Sequence, residues 1–361
     1  MTLKTQEFMK NNANWREILQ KEPYFIKIKE DDNYILLKYD QIFSDFHNEI
    51  VRECRGIIFD KNYNPVCVPF FKFGNYGESY ASPIDWQSAR VQEKIDGVII
   101  KVWWHNNEWH ISTNGTIDAY KSHINHTFDN IENNFQTYGQ LFDLAKENSH
   151  LDFSKLDKNN TYMFELISPF AKVVVQHTET KLYHIGTRNN LTLEELNEDI
   201  EIEKPKEFDL QSLEDCIEAS KQLPFDNEGY VVVDKFYNRI KIKSPKYVYV
   251  HKIKNNGSVN KDSILQIIRE NEIEEFLVYY PIFEPFISEM KSKIDDILTK
   301  IEQENKEYSS KNIESQKDFA LLVKESKFAS YHFAKRKNQN LTPFEWFWSF
   351  DNTKLLKLYE L

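Results

Sequence analysis

Cysteine is scarce in this 361-residue chain: Cys54, Cys67 and Cys216 form no C-x-x-C pair and no metal-ligand spacing. Neither a disulfide framework nor a zinc site is expected, and a reducing, cytoplasmic compartment follows. No apolar run approaches the length that spans a bilayer, and the N-terminal MTLKTQEFMKNNANW lacks the apolar stretch of a signal peptide. Net positive charge is missing as well. At −11 the chain has the wrong sign to hold nucleic acid over its whole surface, so a polyanion site must be a local basic patch on an acidic body. Arginine is the rarer base, 8 of 46 Lys plus Arg, which makes Arg55, set against a glycine, stand out. Aromatic rings are plentiful by contrast: 26 Phe and 19 Tyr supply packed cores and leave rings to stack on a base. The length suits two domains or three rather than a single core.

Up to about Ile253 the sequence reads as short strands between polar turns: Tyr34–Tyr39, Gly56–Phe59, Val98–Trp104, Trp109–Ser112, Tyr162–Ile167, Val173–Gln176, Tyr230–Val233 and Arg239–Ile242. Helical patches fall near Asn134–Glu147, Leu193–Leu196 and Leu213–Leu223. The mixture predicts an α+β domain built on antiparallel sheets. After Asn255-Asn256-Gly257 the pattern changes. Phe286, Met290, Ile294, Ile297 and Ile301 recur at helical spacing among Lys and Glu. Thr342-Pro343-Phe344-Glu345 has the form of a capping box with Pro at the first helical position. A first domain over residues 1–254 and a smaller all-helical domain over 255–361 are expected.

In Val91–Ile100 (VQEKIDGVII) an otherwise apolar, strand-like run carries Glu93, Lys94 and Asp96 around Gly97. Buried charges are costly unless compensated. Gly97 can take a positive φ, which would turn the chain sharply and expose Lys94 at the bend. Taken alone, Lys94–Gly97 is a polar hairpin tip. A lysine becomes a nucleophile only when it gives up a proton, and nearby cations or burial favour that loss.

Strand period two along Arg239-Ile240-Lys241-Ile242-Lys243 puts Arg239, Lys241 and Lys243 on one face and both isoleucines on the other. Three aligned cations repel unless an anion sits between them. A phosphate site is one reading and a solvated face guarding a sheet edge is the other. Glu165, inside YMFELI, and Glu228, just before YVVV, each set a carboxylate beside an apolar strand. Carboxylates at a sheet rim suit a hard cation such as Mg²⁺, or else lie exposed or pair with a lysine. Glu53-Cys54-Arg55-Gly56 leads into IIF, and Lys72 follows within Phe70–Asn75 (FFKFGN). Arg55 offers a planar fork that grips phosphate, or a structural pair with a carboxylate.

Taken in order, these stretches resemble the covalent nucleotidyltransferase superfamily of ligases and RNA-capping enzymes. Lys94–Gly97 matches its KxDG motif, and Phe164–Pro169 (FELISP), Glu228–Val233 (EGYVVV) and Lys241–Lys243 (KIK) match later motifs. Within the superfamily the chain is most similar to the phage-type RNA ligase 1 family. That likeness rests on ECRGIIFD at Glu53–Asp60, FKFGN at Phe71–Asn75 and KIKSPKYVYVH at Lys241–His251, and it spans roughly Tyr34 to Lys254.

The resemblance implies an antiparallel-sheet nucleotidyltransferase fold, ATP as donor, Mg²⁺ as metal and RNA as substrate. RNA 5′-phosphate and 3′-hydroxyl ends would be joined through lysyl-AMP and RNA-adenylate, in RNA or tRNA repair. It implies Lys94 as nucleophile, Lys241 and Lys243 on the α-phosphate, and Arg55 and Lys72 on the ribose or outgoing triphosphate. Glu165 and Glu228 would orient the ribose and the hydrated metal, and Glu93 would accept from the adenine amino group. Asn114, in Ser112-Thr113-Asn114-Gly115, stands where phage ligases carry a basic residue; it can bond a ribose hydroxyl but brings no charge. Asp96 reads as holding the turn rather than as a base. A capping guanylyltransferase would use the same lysine with GTP, but would continue after KIK into a strand-rich domain. A non-catalytic RNA-binding relative would have lost one of Lys94, Glu165, Glu228, Lys241 or Lys243, and all are present. In the tail, Lys335-Arg336-Lys337 with Phe344, Trp346, Phe347 and Trp348 reads as an RNA-loop contact or as core aromatics beside a basic triplet. A nicked tRNA anticodon loop is the substrate the family suggests.

Overall fold

The computed structural model describes residues 2–124, 134–171, 173–252, 260–311, 313–359 and 361. The chain divides into two compact units, residues 1–251 and 252–361. The boundary expected at 254–255, with the Asn255–Gly257 turn, lies outside the described residues.

The strands of the first unit are β1 (Ile26–Glu30), β2 (Tyr34–Tyr39), β3 (Arg55–Asp60), β4 (Pro65–Cys67), β5 (Arg90–Glu93), β6 (Val98–His105) and β7 (Glu108–Thr113). They continue with β8 (Asn160–Ile167), β9 (Lys181–Asn189), β10 (Glu195–Leu196), β11 (Glu207–Phe208), β12 (Gly229–Val233) and β13 (Arg239–Lys243). Among the described residues these strands form three antiparallel sheets, with orders β1-β2-β3-β4, β10-β9-β8-β6-β7 and β11-β5-β12-β13.

Side-chain alternation decides how the layers stack. On β6, Ile100 and Val102 face the helix Tyr138–Asn148, whose Leu141, Phe142 and Ala145 close a core with Tyr162, Phe164 and Leu166 of β8. Trp103, on the opposite face, packs with Tyr34, Leu36, Ile58, Val66 and Cys67 of the first sheet. Met9, Trp15 and Leu19 of the N-terminal helices cover that sheet's outer face at Ile35, Leu37, Ile57 and Phe59. The third sheet buries Val91, Tyr230, Val232, Ile240 and Ile242 beneath the helix Leu213–Gln222. Each such aliphatic burial contributes roughly 1.5–3 kcal/mol. The sheet's other face is left to build a cavity.

Some elements differ from expectation. Val173–Gln176 is not a strand, because the Val174 and Val175 N–H groups donate to Asp96 Oδ2 at 2.9 and 2.7 Å and are not available to a ladder. Leu193–Leu196 is not helical: Leu193 has φ 66°, and Glu195 and Leu196 pair with β9. β9 itself escaped the alternation test because its buried positions include His184, Thr187 and Arg188.

The described residues of the second unit are helical, over Lys261–Arg269, Ile273–Tyr279, Glu284–Ser310, Gln316–Val323, Ala329–Lys337, Pro343–Trp348 and Asn352–Tyr359. In the long helix Ile287, Met290, Ile294 and Ile301 are buried, whereas Phe286, expected on that stripe, is 59% exposed. The capping box at Thr342 and Glu345 is formed, and Trp346, Phe347 and Trp348 are core. Lys335 donates to the carbonyls of Gln339 and Leu341, and Arg336 to those of Ile313 and Glu314. Two members of the basic triplet thus satisfy backbone acceptors. Among the described residues no helix is long and apolar enough to cross a membrane.

Candidate active site

Lys94–Gly97 is not a hairpin tip. It crosses from β5 in the third sheet to β6 in the second. The Lys94 N–H donates to Gly229 O at 2.8 Å, and the Gly97 N–H to Glu165 Oε1 at 3.1 Å, so the crossing is tied to β12 and β8. Gly97 does not take a positive φ. A Cβ there would lie 2.5 Å from Leu166 O and 3.1 Å from Glu165 Cγ, so glycine is required by close approach to β8 rather than by a left-handed turn. Asp96 anchors the crossing further. Its Oδ2 accepts from Val174 and Val175, and its Oδ1 accepts from the Tyr247 hydroxyl at 3.1 Å. Burial, then Glu228, pushes the Asp96 carboxyl upward.

The seam between the sheets opens into a cavity of about 170 Å³. That is of the order of the ~150 Å³ cavities that admit benzene, room for one ring system beside polar walls. Seven expected residues line it: Lys94, Lys241, Lys243, Glu93, Arg55, Glu165 and Glu228. β13 delivers its cations because Ile240 and Ile242 point into the core. Lys72 instead lines a neighbouring cavity of about 620 Å³, which shares Phe70, Phe73 and Arg239 with the first. Asn114 lines neither cavity; its backbone lies against Gly56, and its buried Oδ1 has no hydrogen-bond partner.

Lys94 Nζ lies 2.5 Å from Glu228 Oε2. Other cations face rings instead of carboxylates. Arg55 and Lys241 each lie 5.1 Å from the Phe73 ring centre, and Lys72 lies 4.6 Å from that of Phe46. Such contacts contribute about 0.5–2 kcal/mol without cancelling the charge. Arg239, on the same strand face, is neutralised by Glu195 at 2.6 Å, a carboxylate it shares with Arg188. Burial, then the positive charges of Lys72, Lys243, Arg55 and Lys94, pushes Lys241 well below the usual lysine range. Burial also raises Glu165 to about 7, with Glu228 and Asp96 adding to the shift and Lys94 and Arg55 opposing it.

Paired carboxylate oxygens suit a hard cation. Among the described residues no group of three or more His, Cys, Asp or Glu forms a metal cage. Glu165 and Glu228 are the carboxylates of this cavity that would hold a hydrated divalent cation.

Two residues of this region carried no sequence signal. Tyr39 ends β2; burial raises its hydroxyl, but Lys72 and Arg55 outweigh burial and the net shift is downward. Lys101 hides within the strand VIIKVWW and is fully buried.

An α+β sheet unit with a lysine-centred cavity, followed by a helical unit, defines a class of nucleotidyl-transfer proteins as candidates. A family model described as RNA ligase matches residues 53–247, more than half of the chain, and the chain belongs to this phage-type RNA ligase 1 family. It is 28% identical over 303 residues to a provisionally named bifunctional polynucleotide kinase/RNA ligase of Autographa californica nuclear polyhedrosis virus, covering 76% of this chain and 42% of that protein. It is 24% identical to an RNA ligase of Rhodothermus phage RM378, covering 88% of each. A solved archaeal ATP-dependent RNA ligase matches at 12% identity and a TM-score of 0.43, covering 81% of each chain. The chain thus spans less than half the length of the baculovirus relative and most of the phage one.

Proposed function

We propose that the chain is an ATP-dependent RNA ligase that joins RNA 5′-phosphate and 3′-hydroxyl ends, with Lys94 as nucleophile. The observation that carries this is the meeting in one cavity of Lys94, Glu165, Glu228, Lys241 and Lys243, drawn from distant parts of the sequence. Lys94 Nζ attacks the α-phosphorus of ATP, the bond to pyrophosphate breaks, and a lysyl-AMP phosphoramidate remains. The amine must first lose a proton, and the Glu228 carboxylate, 2.5 Å from Nζ, is within reach to accept it. Lys241, Lys243 and Arg55 neutralise charge on the transferring phosphate, where positioning and electrostatics supply most of the rate. An RNA 5′-phosphate oxygen then displaces Lys94, and a 3′-hydroxyl displaces AMP to seal the strand. Splitting the reaction at a covalent lysine eases each displacement.

Glu165 and Glu228 would hold Mg²⁺, which when bound supplies charge neutralisation at the phosphates. Glu93 would read the adenine amino group and Lys72 would meet the outgoing triphosphate. Residues 1–254 would form the adenylyltransferase domain and 255–361 a helical domain for RNA selection. Repair of nicked tRNA in the cytoplasm is the setting that fits, and the free, buried thiols of Cys54, Cys67 and Cys216 suit a reducing compartment.

The test offers a 5′-phosphorylated RNA strand to the protein with magnesium and either ATP or GTP. Joined product with ATP alone is expected. Activity with GTP alone supports a guanylyltransferase, and neither joined RNA nor RNA-adenylate with either nucleotide overturns the proposal.

A further inference from the structure

Lys101 is the most deeply buried charged side chain near the cavity. It lies at the centre of β6, fully inaccessible, between Ser112 of β7 and Met163 of β8. On the same face of β6, Ile99 lines the cavity and Trp103 belongs to the core, so Lys101 stands at the border between them. Its Nζ donates to Gly56 O. The charged and titratable groups that face it are the Cys67 thiol on β4, Lys38 on β2 and Arg55 on β3. Burial, with Lys38 and Arg55 adding, pushes the ammonium down to about 8.

The acceptor is unusual. Gly56 has φ +82°, a conformation that side chains rarely adopt. A Cβ there would lie 2.9 Å from Lys101 Nζ and 2.7 Å from Asn114 O. The missing side chain is therefore a notch, filled by the lysine head and by the backbone of the turn that bears Asn114. Gly56 directly follows Arg55, whose guanidinium stands at the cavity over Phe73. A buried ammonium costs stability unless it is hydrogen-bonded, and Gly56 O is the acceptor that meets it. The fold tolerates the charge, and what the charge holds is the carbonyl beside Arg55.

We infer that Lys101 is a positioning residue for adenylyl transfer: its ammonium fixes the Gly56 carbonyl in the notch beside Asn114 and so holds Arg55 at the cavity wall. The inference rests on the proposed reading of that cavity as an adenylylation site. Lys101 touches no reacting atom. It acts through the Arg55–Gly56 backbone, and so bears on the step in which pyrophosphate leaves rather than on sealing.

Lys101→Met and Lys101→Gln test this in single-turnover labelling with α-labelled ATP, in sealing of a pre-adenylylated RNA, and in thermal unfolding. Lys101→Met is expected to raise the half-saturating ATP concentration about tenfold, the scale of one lost hydrogen bond to a charged group. Its unfolding midpoint should move little, because removing a buried charge offsets the loss of the donor to Gly56 O, and sealing of pre-adenylylated RNA should change less than about threefold. Lys101→Gln, which keeps a donor, should recover part of the loss. Arg55→Ala combined with Lys101→Met should be no worse than Arg55→Ala alone, since both act on one unit. Three results overturn the inference: unchanged ATP saturation, equal losses in both steps with a lowered midpoint, or additive effects in the double variant. A wild-type protein that forms no lysyl-AMP overturns the functional reading itself, and this inference with it.

Discussion

Replacing Glu165 with glutamine separates the chemistry of the cavity from its effect on stability. Glu165 is raised from its ordinary 4.5 to about 7, chiefly by burial. The folded protein therefore binds a proton here that the unfolded chain releases between pH 4.5 and 7. Stability from this group is greatest below 4.5 and falls as pH rises through 7. Above both values the cost of keeping the carboxylate ionised approaches ~3 kcal/mol, at 1.36 kcal/mol per pH unit. A glutamine amide in its place carries no charge at any pH and keeps an oxygen for the Gly97 N–H. Glu165→Gln should therefore stabilise the protein, and its gain should be about 2 kcal/mol larger at pH 8 than at pH 5.5. In urea unfolding followed by tryptophan emission, with a slope of about 1–3 kcal/mol/M, the extra shift at pH 8 is roughly 1 M. The same variant should lose at least about tenfold in lysyl-AMP formation, because the cavity gives up a carboxylate that would meet metal or ribose. A midpoint gain that is equal at the two pH values, or smaller at pH 8, refutes the argument that Glu165 is strained by its own charge.

Three further outcomes follow from contacts around the crossing and in the tail. Gly97→Ala puts a methyl 2.5 Å from Leu166 O, so β8 or the crossing must shift; unfolding should show a loss of about 1–3 kcal/mol, and adenylylation should fall at least about tenfold. Asp96→Ala strips the acceptor from the Val174 and Val175 N–H groups, and limited proteolysis should reveal faster cleavage within residues 173–178 than in wild type. Arg336→Ala removes donors from Ile313 O and Glu314 O and should cost about 1–2 kcal/mol by urea titration, whereas Lys337→Ala should stay within about 0.5 kcal/mol.

The strands that built the cavity were largely legible because they obey the two-residue alternation of half-buried sheets. β13 is the clearest case: two isoleucines inward and three bases outward were readable from five letters. Order along the chain then gave the site its other members. What the sequence hid has physical reasons. β9 buries polar residues, so it lacks an apolar rhythm. Gly97 looked like a turn glycine, whereas a backbone oxygen from a strand nearly seventy residues away is what excludes a side chain. Arg239 shared a face with Lys241 and Lys243, yet its charge is met by Glu195, a contact no local pattern announces. Lys101 was passed over because a lysine in a strand is expected to reach solvent, and only tertiary packing puts it under Gly56. Lys335 and Arg336 read either as part of an RNA contact or as a basic triplet beside core aromatics, and their hydrogen bonds to backbone carbonyls are tertiary contacts that no local pattern announces.

The most direct test of the central claim is covalent labelling at Lys94. Wild-type protein incubated with α-labelled ATP and magnesium, without RNA, and then denatured should carry an acid-labile adenylate that mapping assigns to Lys94. Lys94→Ala should carry none. No label on the wild type, or full label on Lys94→Ala, contradicts the account.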